Sequence, residues 1–183
     1  MAADVPDAEL MRQLAQGDDL VLNTIIQRWR AKLAVFLFRM TSDHATALDL
    51  TQETFVRIYQ SRNRYRPGAP FSAYIFTIAA NLARDHSKWQ RRHPSVALDE
   101  AAAINLPSAG LSPDQFAESS EAMAEVESAI SKLPSDLRES LILFVYEDLS
   151  YQAIATIAGC SAKAIETRIY RAKQMLRVRL KSQ

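Results

Sequence analysis

The 183-residue sequence has one cysteine, four glycines, three scattered histidines and no long apolar run. The lone Cys160 excludes an intramolecular disulfide and any cysteine-based zinc site. It falls at a core position of a helical break, as a small buried hydrophobe would. His44, His86 and His93 share no ligand spacing, so no metal is expected. With few glycines there is no loop to cradle phosphates, and no cluster of catalytic groups, so no enzyme and no cofactor are expected. No stretch approaches the ~20 apolar residues that span a bilayer. Met1 is followed by Ala, Asp and Glu residues rather than by a basic and then an apolar run, which predicts no secretory leader and a cytoplasmic protein. Period-two alternation of apolar and polar residues is missing too, which argues against strands.

What is present is helical periodicity and segregated charge. The net charge is only +1. Residues 1–93 nevertheless carry 13 basic and 9 acidic side chains, 94–131 carry 0 and 7, and 132–183 carry 9 and 5. Basic blocks suit phosphate backbones, and the acidic bridge between them would not lie on DNA. These features predict an all-α protein of two helical domains joined by a flexible linker. The expected boundaries are 1–94, a linker at 95–120, and a carboxy-terminal helix-turn-helix domain at 121–183.

The helix-turn-helix is the strongest local pattern. Ser150 can cap a helix ending near Ala158, Gly159 supplies a left-handed residue, and Ser161 can cap the next helix. Ile154, Ala158, Ile165 and Ile169 form its apolar side, and Ala155 lets the helices cross closely. The second helix is basic outside and fits the major groove of duplex DNA. Upstream, Leu22, Ile25, Ile26, Trp29, Leu33, Phe36, Leu37 and Met40 repeat at three and four residues, an amphipathic helix that Asp18-Asp19 should start. Asp43 can cap a third helix over about 44–63. One side of it carries Asp49, Gln52, Glu53 and Gln60 around Val56, either a solvated face or a docking face for a basic partner. Arg64, Tyr65 and Arg66 precede a Pro/Gly loop and suit single-stranded nucleic acid, since arginine neutralises phosphate and rings stack on bases. A fourth helix spans Phe71–Arg92, with Phe71, Ile75, Ile78, Leu82 and Trp89 expected inside and Thr77, Asn81, Arg84 and Lys88 outside. A short helix is expected near Leu98–Ala103, and Ser135 should cap the helix that precedes the helix-turn-helix.

Taken in order, these motifs resemble bacterial sigma factors. Asp49-Leu-Thr-Gln-Glu-Thr-Phe55 is similar to the DLxQExF signature, and Arg64–Arg66 with Phe71–Arg84 resembles the promoter-melting region. Leu133-Pro134, Arg138, Leu149-Ser150-Tyr151, Ile154-Ala155 and Ser161–Lys173 resemble the carboxy-terminal DNA-binding region. With two domains only, the resemblance is to the extracytoplasmic-function (ECF, group IV) class. It implies a promoter-specificity subunit that binds core RNA polymerase and is a monomer when free. Asp49, Gln52, Glu53 and Val56 would meet the β′ coiled coil. Arg64, Tyr65, Ser72, Tyr74, Asn81, Arg84 and Lys88 would take the minus-10 element as single strand. Lys163, Glu166, Thr167, Arg168, Tyr170 and Arg171 would read the minus-35 element as duplex. The class also admits an anti-sigma factor as partner, and no membrane insertion is implied. Tyr74 stands where the class commonly has tryptophan, and Ala164 and Glu166 where threonine and a basic residue are frequent. A freestanding helix-turn-helix regulator and a protein-binding helical adaptor are the competing readings.

Overall fold

The computed structural model describes residues 5–66, 68, 70–93 and 123–181. Among the described residues the chain is built of eight α-helices and one 3-10 turn, without a strand. The expected helix at Leu98–Ala103 and both expected domain boundaries lie outside them.

The amino-terminal body begins with α1 (Asp7–Ala15), which buries Leu10, Met11 and Leu14. Its first residue ties it down: the Asp7 carboxylate accepts from Arg28 Nη1 (2.9 Å) and Trp29 Nε1 (3.2 Å) of α2 (Val21–Thr41). Helix α2 starts two residues after Asp19, with Leu20 at its cap, so the acidic pair lies in the turn and not at the helix start. It ends at Ser42, a left-handed residue. Helix α3 (His44–Gln60) follows at once, its Asp43 cap accepting from the Thr46 amide as expected. It stops earlier than the sequence suggests, giving way to the 3-10 turn Arg62–Arg64. Helix α4 (Phe71–Arg92) has the expected limits. Ala79, Ala80 and Ala83 on its buried side let neighbouring helices approach closely. Its Phe76 meets Phe36 of α2 edge-on at 5.2 Å, and Trp29 packs edge-on against Phe71 at 5.5 Å. Such aromatic pairs add to the burial of their own surface.

One expected core residue is outside. Trp89 is 55% exposed, because α4 runs on past its packing partners. Its ring stacks instead on His93 (4.9 Å) and His86 (6.3 Å), one turn away on either side.

The carboxy-terminal body comprises α5 (123–131), α6 (Ser135–Val145), α7 (Tyr151–Ala158) and α8 (Ala162–Lys181). At α6 the cap position belongs to Pro134, and Ser135 is already in the first turn. At α7 the expectation holds: the Ala153 amide donates to Ser150 Oγ, and Gly159 ends the helix at φ +65°. Ser161 Oγ accepts from the Ala164 amide and opens α8. Ile154, Ile157, Ile165 and Ile169 are buried between the two helices, with Ala155 at their crossing.

The two bodies pack on each other, α4 against α7 and α2 against α6, and their buried apolar side chains form one connected cluster.

Candidate nucleic-acid interface

Three groups of side chains were singled out by sequence, and the fold gives each a distinct setting. On α8 the row is presented to solvent. Lys163, Glu166, Thr167, Tyr170 and Arg171 are all exposed, Tyr170 at 64%. Their three-and-four spacing follows from one helix face being held inside by Ile165, Ile169 and Ala172. Lys163 Nζ lies 2.7 Å from Glu166 Oε2, so the acid and the base neutralise each other on the outer face. Thr167 donates to the Lys163 carbonyl. Tyr151 of α7 joins Lys163, Glu166, Thr167, Tyr170 and Lys173 around a shallow depression. Sequence reasoning named Tyr151 only as part of a motif; its place at the mouth of the turn is set by the crossing of α7 and α8. Arg168 behaves differently. It turns toward Asp136 of α6 (3.5 Å) and is mostly covered, so it braces α8 against α6 rather than facing outward with the others.

The second group surrounds the start of α4. Tyr65 does not present a free ring. It meets Tyr74 edge-on at 5.1 Å and Phe71 at 6.0 Å, and its hydroxyl is buried with no hydrogen-bond partner among the described residues. Burial pushes that hydroxyl above its ordinary pKa, with Asp7 and Tyr74 adding to the effect. The Tyr74 hydroxyl is 2.6 Å from Ser61 Oγ, which fixes the ring at the end of α3. Arg64 and Arg66 are exposed beside these rings, and Ser72 is half-buried. A turn-rich arginine pair thus flanks an aromatic floor that α3 and α4 hold rigid. Two to four turns further along α4 are Asn81, Arg84 and Lys88. Asn81 Oδ1 accepts from Arg84 Nη2 (2.6 Å), and Lys88 pairs with Asp85 at 3.4 Å. Arg84 is the exception to the expected exposed face. Its Nη1 donates to both oxygens of Glu139 on α6 (3.0 and 3.2 Å), and Nη2 donates to the Ile157 carbonyl on α7 (3.3 Å). Glu139 is nearly fully buried, and burial raises its pKa although Arg84 and Arg168 oppose the shift.

The third group is the outer side of α3. Asp49, Gln52 and Val56 are exposed, Val56 at 47%. Glu53 is half-buried and pairs with Arg57 at 2.8 Å. Beside them an open groove of about 700 Å³ runs between α2 and α3, lined by Leu22, Ile26, Arg30, Leu48, Gln52 and Val56 among others. Sequence reasoning placed Leu22 and Ile26 in the buried stripe of α2; they are half-buried and line this groove. The signal was present: the apolar stripe of α2 is wider than one packing partner needs.

Among the described residues no group of three or more His, Cys, Asp and Glu is placed to hold a metal, and no helix is long and apolar enough to cross a membrane.

Two family models match the chain: Sigma-70 region 2 over residues 25–93, and Sigma-70 region 4 over residues 123–176. The first covers most of α2 and all of α3 and α4, and the second α5 to most of α8. The RNA polymerase sigma-H factor of Pseudomonas aeruginosa is 28% identical over 182 residues, covering 96% of this chain and 94% of that protein. The ECF RNA polymerase sigma-E factor of Escherichia coli K12 is 29% identical over 182 residues, covering 96% and 95%. Two solved structures share the fold. CnrH, in complex with the cytosolic domain of CnrY, aligns with a TM-score of 0.73 at 25% identity, covering 96% of this chain and 97% of that one. The sigma factor RpoE of Bartonella quintana, in complex with the anti-sigma factor NepR, aligns with a TM-score of 0.68 at 25% identity, covering 87% and 96%. The Asp49–Phe55 motif on α3, the arginine-and-ring cluster at α4, the helix-turn-helix and matches to both regions agree: the chain belongs to the sigma-70 family of sigma factors, in its extracytoplasmic-function class.

Proposed function

We propose that the chain performs its work as a sigma factor, promoter-specific initiation of transcription, through the three surfaces described above. Sigma factors are non-enzymatic initiation factors, and here too the polymerase supplies the chemistry. The body spanning 1–94 docks on the β′ coiled coil through Asp49, Gln52, Glu53 and Val56. An acidic rim around an exposed apolar residue beside an apolar groove suits a basic amphipathic partner. The same body takes the melted minus-10 strand on Arg64, Tyr65, Ser72, Tyr74, Asn81, Arg84 and Lys88. The body spanning 121–183 reads duplex minus-35 DNA with Lys163, Glu166, Thr167, Tyr170 and Arg171, and Arg168 holds the reading helix in place. The segment 95–120 joins them. The site of action is the cytoplasm, where the polymerase is. An anti-sigma factor is the expected protein antagonist, as the Bartonella quintana structure has one.

The observation that carries the reading is the solvent-facing row on α8, held out by a fully buried Ile165–Ile169–Ala172 stripe. Energetically the factor works by differential binding. Extruding a base costs a few kcal/mol, and stacking returns about 1–3 kcal/mol per base. Melting therefore depends on which sequence is captured. Run-off transcription tests this, with core bacterial polymerase and a library of short genomic fragments. Transcripts that need the protein, from templates sharing two spaced motifs, are expected. No new transcript, together with tight duplex binding by the protein alone, would instead indicate a freestanding regulator.

A further inference from the structure

We propose that Asp7, the first residue of α1, is a positioning residue for the minus-10 strand: acting through Trp29, it holds Phe71, Tyr65 and Tyr74 in the arrangement that receives unpaired bases. The inference deepens, and rests on, the reading of Tyr65 and Tyr74 as minus-10 contacts. Helix α1 itself has no part in the polymerase or DNA surfaces assigned above.

The connection starts at a carboxylate with both oxygens engaged. Asp7 Oδ1 accepts from Arg28 Nη1 at 2.9 Å, and Oδ2 accepts from Trp29 Nε1 at 3.2 Å. Arg28 Nη1 also donates to the Val5 carbonyl at 2.6 Å, which keeps the start of α1 against α2. An indole has a single N–H, and in a half-buried ring the partner of that N–H decides how the ring is turned. Trp29 is such a ring. It meets Phe71 at 5.5 Å and Phe76 at 6.1 Å, edge-on in both cases. Edge-on pairs are directional, so a turned indole would not match both phenylalanines. Phe71 opens α4, and its ring centre lies 6.0 Å from that of Tyr65 and 6.1 Å from that of Tyr74.

Tyr65 depends on this support more than Tyr74 does. Tyr74 has a polar anchor of its own, Ser61 Oγ at 2.6 Å. The Tyr65 hydroxyl is buried without a hydrogen-bond partner among the described residues, so ring packing fixes its place. Asp7 is close enough for its charge to add to the raised pKa of Tyr65. Helix α1 also packs on the 3-10 turn Arg62–Arg64, whose last residue flanks the rings. The competing account of Asp7 is the favourable interaction of an acid with a helix start. That interaction needs neither Trp29 nor any effect on the rings.

The test uses full-length protein with core polymerase, and the labelled minus-10 single strand and minus-35 duplex of one promoter from the run-off set. Asp7→Ala removes the acceptor, and Trp29→Phe keeps a ring but removes the N–H. A ring displaced from a base forfeits part of its stacking, so each variant should bind the single strand about fivefold more weakly. Affinity for the minus-35 duplex and for core polymerase should stay at the wild-type level. The double variant should lose no more than either single one, because both act on the same bond. Asp7→Asn keeps an acceptor for Trp29 and should lose less than Asp7→Ala. Wild-type strand affinity in Asp7→Ala and Trp29→Phe would overturn the proposal. Additive losses in the double variant would overturn the route through Trp29, and equal losses for strand, duplex and polymerase would mean general loosening instead. If Asp7→Ala fails to fold, Trp29→Phe decides, since it leaves the Asp7–Arg28 pair in place. Amide hydrogen exchange on the free protein separates the positioning from the minus-10 reading. In Trp29→Phe and Asp7→Ala, exchange at residues 62–66 and 71–75 should quicken relative to α8. Unchanged exchange there would overturn the positioning role, whereas a wild-type holoenzyme that does not bind the single strand would overturn the minus-10 reading itself.

Discussion

Glu166→Ala should move DNA affinity and base choice in opposite directions. Glu166 is half-exposed on the outer face of α8 and is held 2.7 Å from Lys163 Nζ. Losing an exposed pair of this kind costs the fold at most about 0.5 kcal/mol. The effect on DNA is larger. A carboxylate at a groove-facing position can accept a hydrogen bond from cytosine N4, and a good base contact is worth about 1–3 kcal/mol of discrimination. Removing it should flatten the preference at one base pair of the minus-35 element by about 5- to 150-fold. Lys163 is released at the same time and can take a phosphate. Each additional phosphate contact steepens the fall of log K with log salt by about 0.9. At low salt the variant should therefore bind unrelated duplex more tightly than wild type, and at high salt the advantage should vanish. The assay is fluorescence anisotropy with holoenzyme, on minus-35 duplexes carrying each of the four bases in turn, at several salt concentrations. Unchanged base preference together with an unchanged salt slope would refute the reasoning. It would mean that the Lys163–Glu166 side of α8 does not face DNA.

The docking surface is tested by Asp49→Ala combined with Glu53→Ala, which should weaken binding to core polymerase at least about tenfold, or roughly 1.4 kcal/mol, with an unchanged circular dichroism spectrum. Val56→Asp should do the same through the apolar centre of the face, and wild-type affinity in both variants would remove α3 from the docking surface. Gly159→Ala should destabilise the carboxy-terminal body by about 1 kcal/mol in denaturant unfolding, since an L-residue at φ +65° is strained although an added Cβ would meet nothing within 4 Å. Gly159→Asn should cost less, and equal losses for both would point to a steric cause. The pH response follows from Glu139 and Glu147, whose carboxyls burial raises above the ordinary value of 4.5. The packed chain then holds their protons more tightly than a chain in which they are solvated. Packing is strengthened as pH falls through the raised values and levels off below 4.5, and it is weakened as pH rises. Scattering between pH 7 and 5 should show no expansion, and opening on acidification would contradict the sign.

How far the sequence is legible depends on how local the deciding interaction is. Asp43, Ser150, Ser161 and Gly159 act on backbone groups within four residues of themselves, and each does in the fold what its residue type suggests. The limits of α4 are readable for the same reason, because Pro70 fixes the start and the apolar period carries the helix onward. Trp89 breaks the pattern in an instructive way: periodicity says which side of a helix it occupies, but not whether a partner helix extends that far. Ser135 shows the same limit at a cap, where the preceding Pro134, with its fixed φ, takes the flanking position. The ion pairs between the bodies are the part that local rules do not reach. Glu139 looks like any polar residue on an amphipathic helix, and its partner Arg84 is 55 residues earlier, on a face that reads as ready for DNA. Arg39 looks like a cation at a helix end, a place where the dipole alone would justify it, yet it pairs with Glu127 of α5 at 2.9 Å. Only the packing of α2 on α6 and of α4 on α7 turns these into paired groups. It gives both arginines carboxylate partners within the chain. A guanidinium that suits a phosphate suits a carboxylate on the same chemical grounds, so the feature of Arg84 that suggests a DNA contact equally permits its pairing with Glu139.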